Sequence, residues 1–187
     1  MADIVPQAGD FIRPHRSPWG ATAMRSMPIS TGISTNIIYL GAVVGLDVNT
    51  STTGDCIIPS SMTSNTVIST SVVGVAAEGT NKPSSTNVAR TYIPVWEANP
   101  QTEFRARTRG GVLASTLVGS ARTILWDSTN KIHLVHAGAS SFASPVFVVV
   151  TELLDNVGDS GGAVAFRFCA KDPTSSLSTG NVLAFFR

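Results

Sequence analysis

Three consecutive pieces decide the fold: VVGVAAEG at 72–79, a Lys82-Pro83-Ser84-Ser85-Thr86-Asn87 loop, and ARTYIPVWEANPQTEFRARTR at 89–109. The first and last read as strands. The last passes through Trp96 to an Asn99-Pro100 turn and then into a further strand. In Phe104-Arg105-Ala106-Arg107-Thr108-Arg109 the side chains alternate, so the arginines share one face and Phe104, Ala106 and Thr108 the other. This describes a small β-domain with a basic face rather than a catalytic pocket.

Working outward, Ile37 to Asp47 is β-branched and apolar, and the turn-prone Asn49–Gly54 closes it. Strands are expected at about 37–47, 56–58, 66–78, 89–97 and 102–109. Val112–Val118 reads equally as a short helix or a loop. Thr123-Ile124-Leu125-Trp126, the turn Asp127-Ser128-Thr129-Asn130 and Lys131-Ile132-His133-Leu134-Val135 form the clearest hairpin. Alternation points Ile132 and Leu134 inward and leaves His133 as a surface side chain. Pro145–Leu154, Ala163–Cys169 and Val182–Phe186 complete the set.

Residues 1–35 differ from this body. Pro6, Pro14, Pro18 and Pro28 oppose a helix, and Gly9, Gly20 and Gly32 interrupt any strand. Phe11, Trp19, Met24 and Met27 are interspersed with Arg13, His15, Arg16 and Arg25. Such a segment cannot bury its apolar groups alone, so it docks on its own domain, a second copy or another protein. The expected fold is all-β: a single β-sandwich or β-barrel-like domain of short antiparallel strands (36–187) with an extended N-terminal arm (1–35).

Of the 187 residues 43% are hydrophobic and only 13% charged, with a net charge of +1, so no global field attracts nucleic acid. No apolar run approaches the roughly 20 residues that span a bilayer, and MADIVPQAGDF lacks the layout of a secretory signal. Neither a nucleic-acid nor a membrane partner is expected. Cys56 and Cys169 stand far apart in apolar surroundings, which favours free thiols over a disulfide, and zinc-ligand spacing is missing. Asp127, Asp155 and Asp159 lack the spacing of a calcium loop. No metal or cofactor is expected.

Gly158-Asp159-Ser160-Gly161-Gly162 matches the nucleophile signature of chymotrypsin-like serine proteases. Ser160 would attack a carbonyl, and N–H groups around Gly158 and Ser160 would hold the oxyanion. The base is the difficulty. His133 and His136 lie directly before the motif, out of that family's order, and His15 sits in RPHRSPWG, a different context. Ala163 replaces the usual proline. The plainer reading is a Gly-rich connection between two strands.

GAVVGLDV at 41–48, VVGVAAEG at 72–79, TYIPVWEANPQTEFRAR at 91–107 and VFVVVTELLDNVGDSGGAVAFRF at 146–168 resemble the decoration, or cement, proteins that coat tailed-bacteriophage capsids. The resemblance covers roughly residues 36–170. It rests on apolar and turn positions such as Gly74-Val75-Ala76, Asn99-Pro100 and Thr102-Glu103-Phe104-Arg105-Ala106. It implies a non-enzymatic virion protein, commonly trimeric, on the outer capsid surface where major capsid proteins meet. The arm lies outside the resemblance. Its own composition nominates Phe11, Arg13, Arg16, Trp19 and Arg25 as partner-binding residues, because aromatic and arginine side chains dominate interface hot spots. Deleting the arm is expected to leave a folded oligomer that no longer decorates capsids. The alternatives are a fibre-base or glycan-binding β-domain of a virion, and the serine protease.

Overall fold

The computed structural model describes residues 4–7, 9–18, 20–29, 38–46, 56–57, 72–79, 92–138 and 147–169. The expectations for Trp19, for 66–71 and for 182–186, and for the side chains of Cys56 and Cys169, lie outside these described residues. The chain is all-β. In order, the described strands are β1 (Arg13–Arg16), β2 (Met24–Pro28), β3 (Val43–Leu46), β4 (Cys56–Ile57), β5 (Val72–Ala76), β6 (Tyr92–Glu97), β7 (Glu103–Arg109), β8 (Ala121–Asp127), β9 (Ile132–His136), β10 (Phe147–Leu153) and β11 (Ala163–Cys169). One 3-10 turn, Ser115–Leu117, occupies the stretch that read equally as helix or loop.

Strands β7, β11, β10, β8 and β9 form a five-stranded barrel, closed where β9 returns to β7. The closing pair is parallel, Thr108 against Val135 and Arg109 against His136, whereas the other described pairings are antiparallel. Ala137 N–H extends it by donating to the Arg109 carbonyl at 2.9 Å. On β7 the inward face follows the alternation read in the sequence, whereas β9 gives the barrel core Val135 rather than Ile132 and Leu134. Phe104, Ala106, Val148, Val150, Val164, Phe166 and Phe168 join Ile124 and Val135 in one core. The ring centroids of Phe104, Phe166 and Phe168 lie 5.3–6.1 Å apart, and Phe168 meets the other two edge-on.

The second sheet runs β2-β6-β5-β3-β4. Val43 and Val75 project from it into the barrel core, with Trp96 and Val72 packed beside them. Val44, Ala76, Ile93 and Val95 belong to a separate cluster, together with Met27, Ile29, Ile38 and Ala42. The two sheets therefore share one core, and the second sheet buries apolar side chains on both its faces.

Three expectations need correction, the third being that no strand forms in the N-terminal segment, where β1 and β2 do. Of the strand read over 37–47, the described residues 38–46 are strand only over Val43–Leu46. Residues 38–42 turn instead: Gly41 adopts φ +74°, which disfavours side chains, and Ala42 N–H donates to Tyr39 O. His133 is fully buried rather than exposed. Its face of β9 also carries Val135, and it meets β3 of the second sheet instead of water.

The N-terminal segment is woven into both sheets. Strand β1 runs antiparallel along β7, and β2 along β6. Ile12 is fully buried in the barrel core, while Met27 and Ile29 are buried against the second sheet. Deleting residues 1–35 would thus remove core side chains along with any contact surface.

Candidate functional site

The face of β7 opposite the core carries Arg105, Arg107 and Arg109, and the N-terminal segment runs beside it. Each arginine meets different company. Arg107 is held by two carboxylates: its Nε donates to Asp10 Oδ1 at 3.2 Å and its Nη1 to Asp155 Oδ2 at 2.6 Å. Asp155 Oδ2 also accepts the Ala163 N–H at 2.9 Å. This half-buried, charge-assisted pairing with two carboxylates ties the arm, β7 and the β10–β11 connection together.

Arg109 lies 3.9 Å from Asp127 Oδ2. Burial acts to raise the Asp127 pKa. The Asn130 amide, the N–H groups of Asn130 and Thr129, and Arg109 together outweigh it and hold the carboxyl below its ordinary value. Asp127 thereby locks the β8–β9 hairpin, its Oδ1 accepting from Thr129 N at 2.9 Å and Asn130 N at 3.2 Å. Arg105 has no acidic partner among the described residues; across the ladder it faces Arg13.

Further along, the buried Glu103 accepts from Arg167 Nη2 at 3.0 Å. Arg16 bridges Glu103 at 3.9 Å and Glu152 at 3.0 Å, and His15 Nε2 lies 3.8 Å from Glu152. The arm is therefore fastened to the barrel by charge as well as by the strand ladder.

Of the nominated residues, Phe11 is half-buried and packs over Gly41, and Arg13 is exposed beside Arg105. Arg16 is engaged with acids, whereas Arg25 is exposed on β2 opposite Val95. Arg13, Phe11 and Asp10 meet Arg105, Arg107 and Ala163 at one open cleft. Arg25 belongs to the other sheet. Asp10, Glu103 and Glu152 escaped the sequence reading, because Asp10 and Arg107 are 97 residues apart and no local pattern joins them.

The protease-like string has a structural occupation. Gly158 N–H donates to Leu113 O at 2.7 Å, and Leu113 N–H to Asp159 O at 2.9 Å. Ser160 bridges Val112, and its carbonyl accepts Ile4 N–H at 2.8 Å. Gly161 sits at φ +69°, where a Cβ would run into the Ile4 carbonyl, so the glycine admits the N-terminal chain. The N–H of Gly158 that an oxyanion would require is thus already donated. The histidines have other company too: His15 meets Glu152, His136 lies over Gly110, and His133 accepts Val43 N–H on Nδ1 at 3.0 Å. The His133 ring packs 4.6 Å from Trp126, and burial pushes its pKa down to about 3.

Among the described residues, no group of three or more His, Cys, Asp or Glu side chains is placed to hold a metal ion, and no helix is long and apolar enough to cross a membrane. No family model, curated protein or solved structure matches the chain.

Proposed function

We propose that this chain is a virion structural protein that decorates a phage capsid, clamping neighbouring major capsid proteins from the outer surface as a self-associating, trimeric unit. The observation that carries this reading is what the N-terminal segment does with its side chains. It invests Ile12, Met27 and Ile29 in the cores while leaving Val5, Met24, Arg13 and Arg25 exposed along the outside of both sheets. Tyr92 adds an exposed aromatic on β6, beside β2. Arginine, methionine and tyrosine are the types enriched in protein interfaces. Among the described residues strand β2 lies at an edge of its sheet, where its backbone groups are open to a partner strand. Repetition over a lattice would then make individually weak contacts strong together.

Because deletion of the arm would damage the core, the test uses exposed positions. The double variant Met24→Asp/Arg25→Glu is compared with the unaltered chain for co-sedimentation with capsids stripped of this protein. The affinity for the capsid is expected to fall at least about tenfold, the equivalent of about 1.4 kcal/mol, with the folded oligomer retained. Unchanged affinity would overturn the assignment of the arm as anchor. Failure of the unaltered chain to bind any capsid of the phage that encodes it would overturn the decoration reading itself.

A further inference from the structure

We propose that Arg13 and Arg105 form a two-guanidinium clamp for a single oxyanion, a phosphate or carboxylate group. The two residues are direct cross-strand partners, which sets their side chains side by side on one face of the β1–β7 ladder. Like charges so placed repel unless something negative lies between them. The neighbouring carboxylates are already engaged. Asp10 accepts the Arg107 Nε–H on Oδ1 and the Gln7 N–H on Oδ2, at 3.2 and 3.1 Å. Asp155 is held by Arg107 and the Ala163 N–H, and Glu103 by Arg167, with Arg16 close by. Arg13, Arg105 and Arg107 thus line the cleft together with Asp10, and Asp155 meets Arg107 from beside it, a local excess of one positive charge.

The shape fits the charge. The cleft is shallow and open to solvent. Its floor is small because Ala165 stands opposite Arg105 and Ala163 opposite Arg107, with Gly9 on the rim. Guanidinium groups present paired donors that match the oxygens of a carboxylate or phosphate, and a second guanidinium beside the first converts a solvated surface charge into a chelating site. This site exists only when the arm is in place, since Arg13 comes from β1 and Arg105 from the barrel. It extends beyond the decoration reading and is tested without capsids.

The full-length chain is titrated with sodium phosphate and, separately, with sodium acetate, at ionic strength held constant with sodium chloride, while the arginine side-chain NMR signals are followed. Saturable shifts of Arg13 and Arg105 are expected. Saturation by both anions identifies a general oxyanion clamp, as a partner's carboxylate would use; saturation by phosphate alone narrows the ligand to a phosphate group. Arg13→Gln and Arg105→Gln should each abolish saturation, whereas Arg25→Gln, on the other sheet, should leave it intact. At phosphate ten times Kd the folding constant of the unaltered chain should rise about elevenfold, and that of the two clamp variants should not. Shifts that stay linear with concentration, or that persist equally in Arg105→Gln, would overturn the clamp.

Discussion

In the barrel every one of the five strands has a neighbour on both sides, because β9 returns to β7 through Thr108–Val135 and Arg109–His136. Among the described residues the second sheet ends instead on β2 and β4, and Met24, Arg25 and Ser26 of β2 are exposed. Closure removes the unpaired N–H and C=O groups that make a sheet edge sticky, whereas an open edge keeps them available. The closed half therefore supplies a rigid core, and the open half retains contact surface. Yet the open half does not stand alone, since Val43 and Val75 belong to the barrel core and His133 accepts a hydrogen bond from Val43 across the seam.

The hardest test of this division strikes the barrel. Phe166 is fully buried against Phe104 and Phe168, and Phe166→Ala should cost about 3–5 kcal/mol through lost burial and a residual cavity. Urea unfolding followed by tryptophan fluorescence and by circular dichroism should shift together in one transition, because both sheets share the core. Two separate transitions would show that the barrel and the second sheet are independent units.

A second test addresses the seam through pH. Folded His133, with its pKa near 3, stays neutral where the unfolded imidazole, near 6.5, takes up a proton. Between those two values the unfolded state binds more protons, so stability falls as pH falls through that window. From pH 7.5 to 4.5 the loss should be about 2–3 kcal/mol. The Asp127 contribution is present above the ordinary carboxylate value of 3.8 and is lost only below it, outside this range. Replacement His133→Gln should flatten the profile between pH 6.5 and 4.5; an equally steep profile in that variant would remove His133 from the seam.

The smallest expected effect sharpens how the arm is held on the barrel. Arg16 is largely exposed although it lies 3.0 Å from Glu152, and exposed ion pairs contribute little. The substitution Arg16→Gln should cost less than about 1 kcal/mol, a difference that fades in about 1 M salt, where screening is complete within a few ångströms. A larger, salt-insensitive loss would mean that Arg16 matters through packing.

Much of the strand framework was legible. Alternation in Phe104–Arg109 placed the phenylalanine inward and the arginines outward, and the Asp127–Asn130 turn located the β8–β9 hairpin. His133 was misread for a physical reason: alternation separates two faces but does not say that one of them is wet. The apolar Val135 on the same face, and Ile124 and Trp126 across the ladder, were the available sign that both faces of β9 are covered. The arm's proline and glycine spacing concealed two short strands, because strands on a sheet edge tolerate proline where central ones do not. The partners of Arg107 were invisible, since Asp10 and Asp155 approach it only after β1 and the β10–β11 connection are in place.

Taken alone, the order of residues determined the all-β class, the inward and outward faces of β7 and the turn of the best hairpin, since these depend on neighbours one to four positions away. Tertiary structure decided the parallel closure of the barrel, the burial of His133 and the meeting of Arg13 with Arg105. Each joins positions dozens of residues apart, and such pairings are chosen by the packing of whole strands rather than by any local preference.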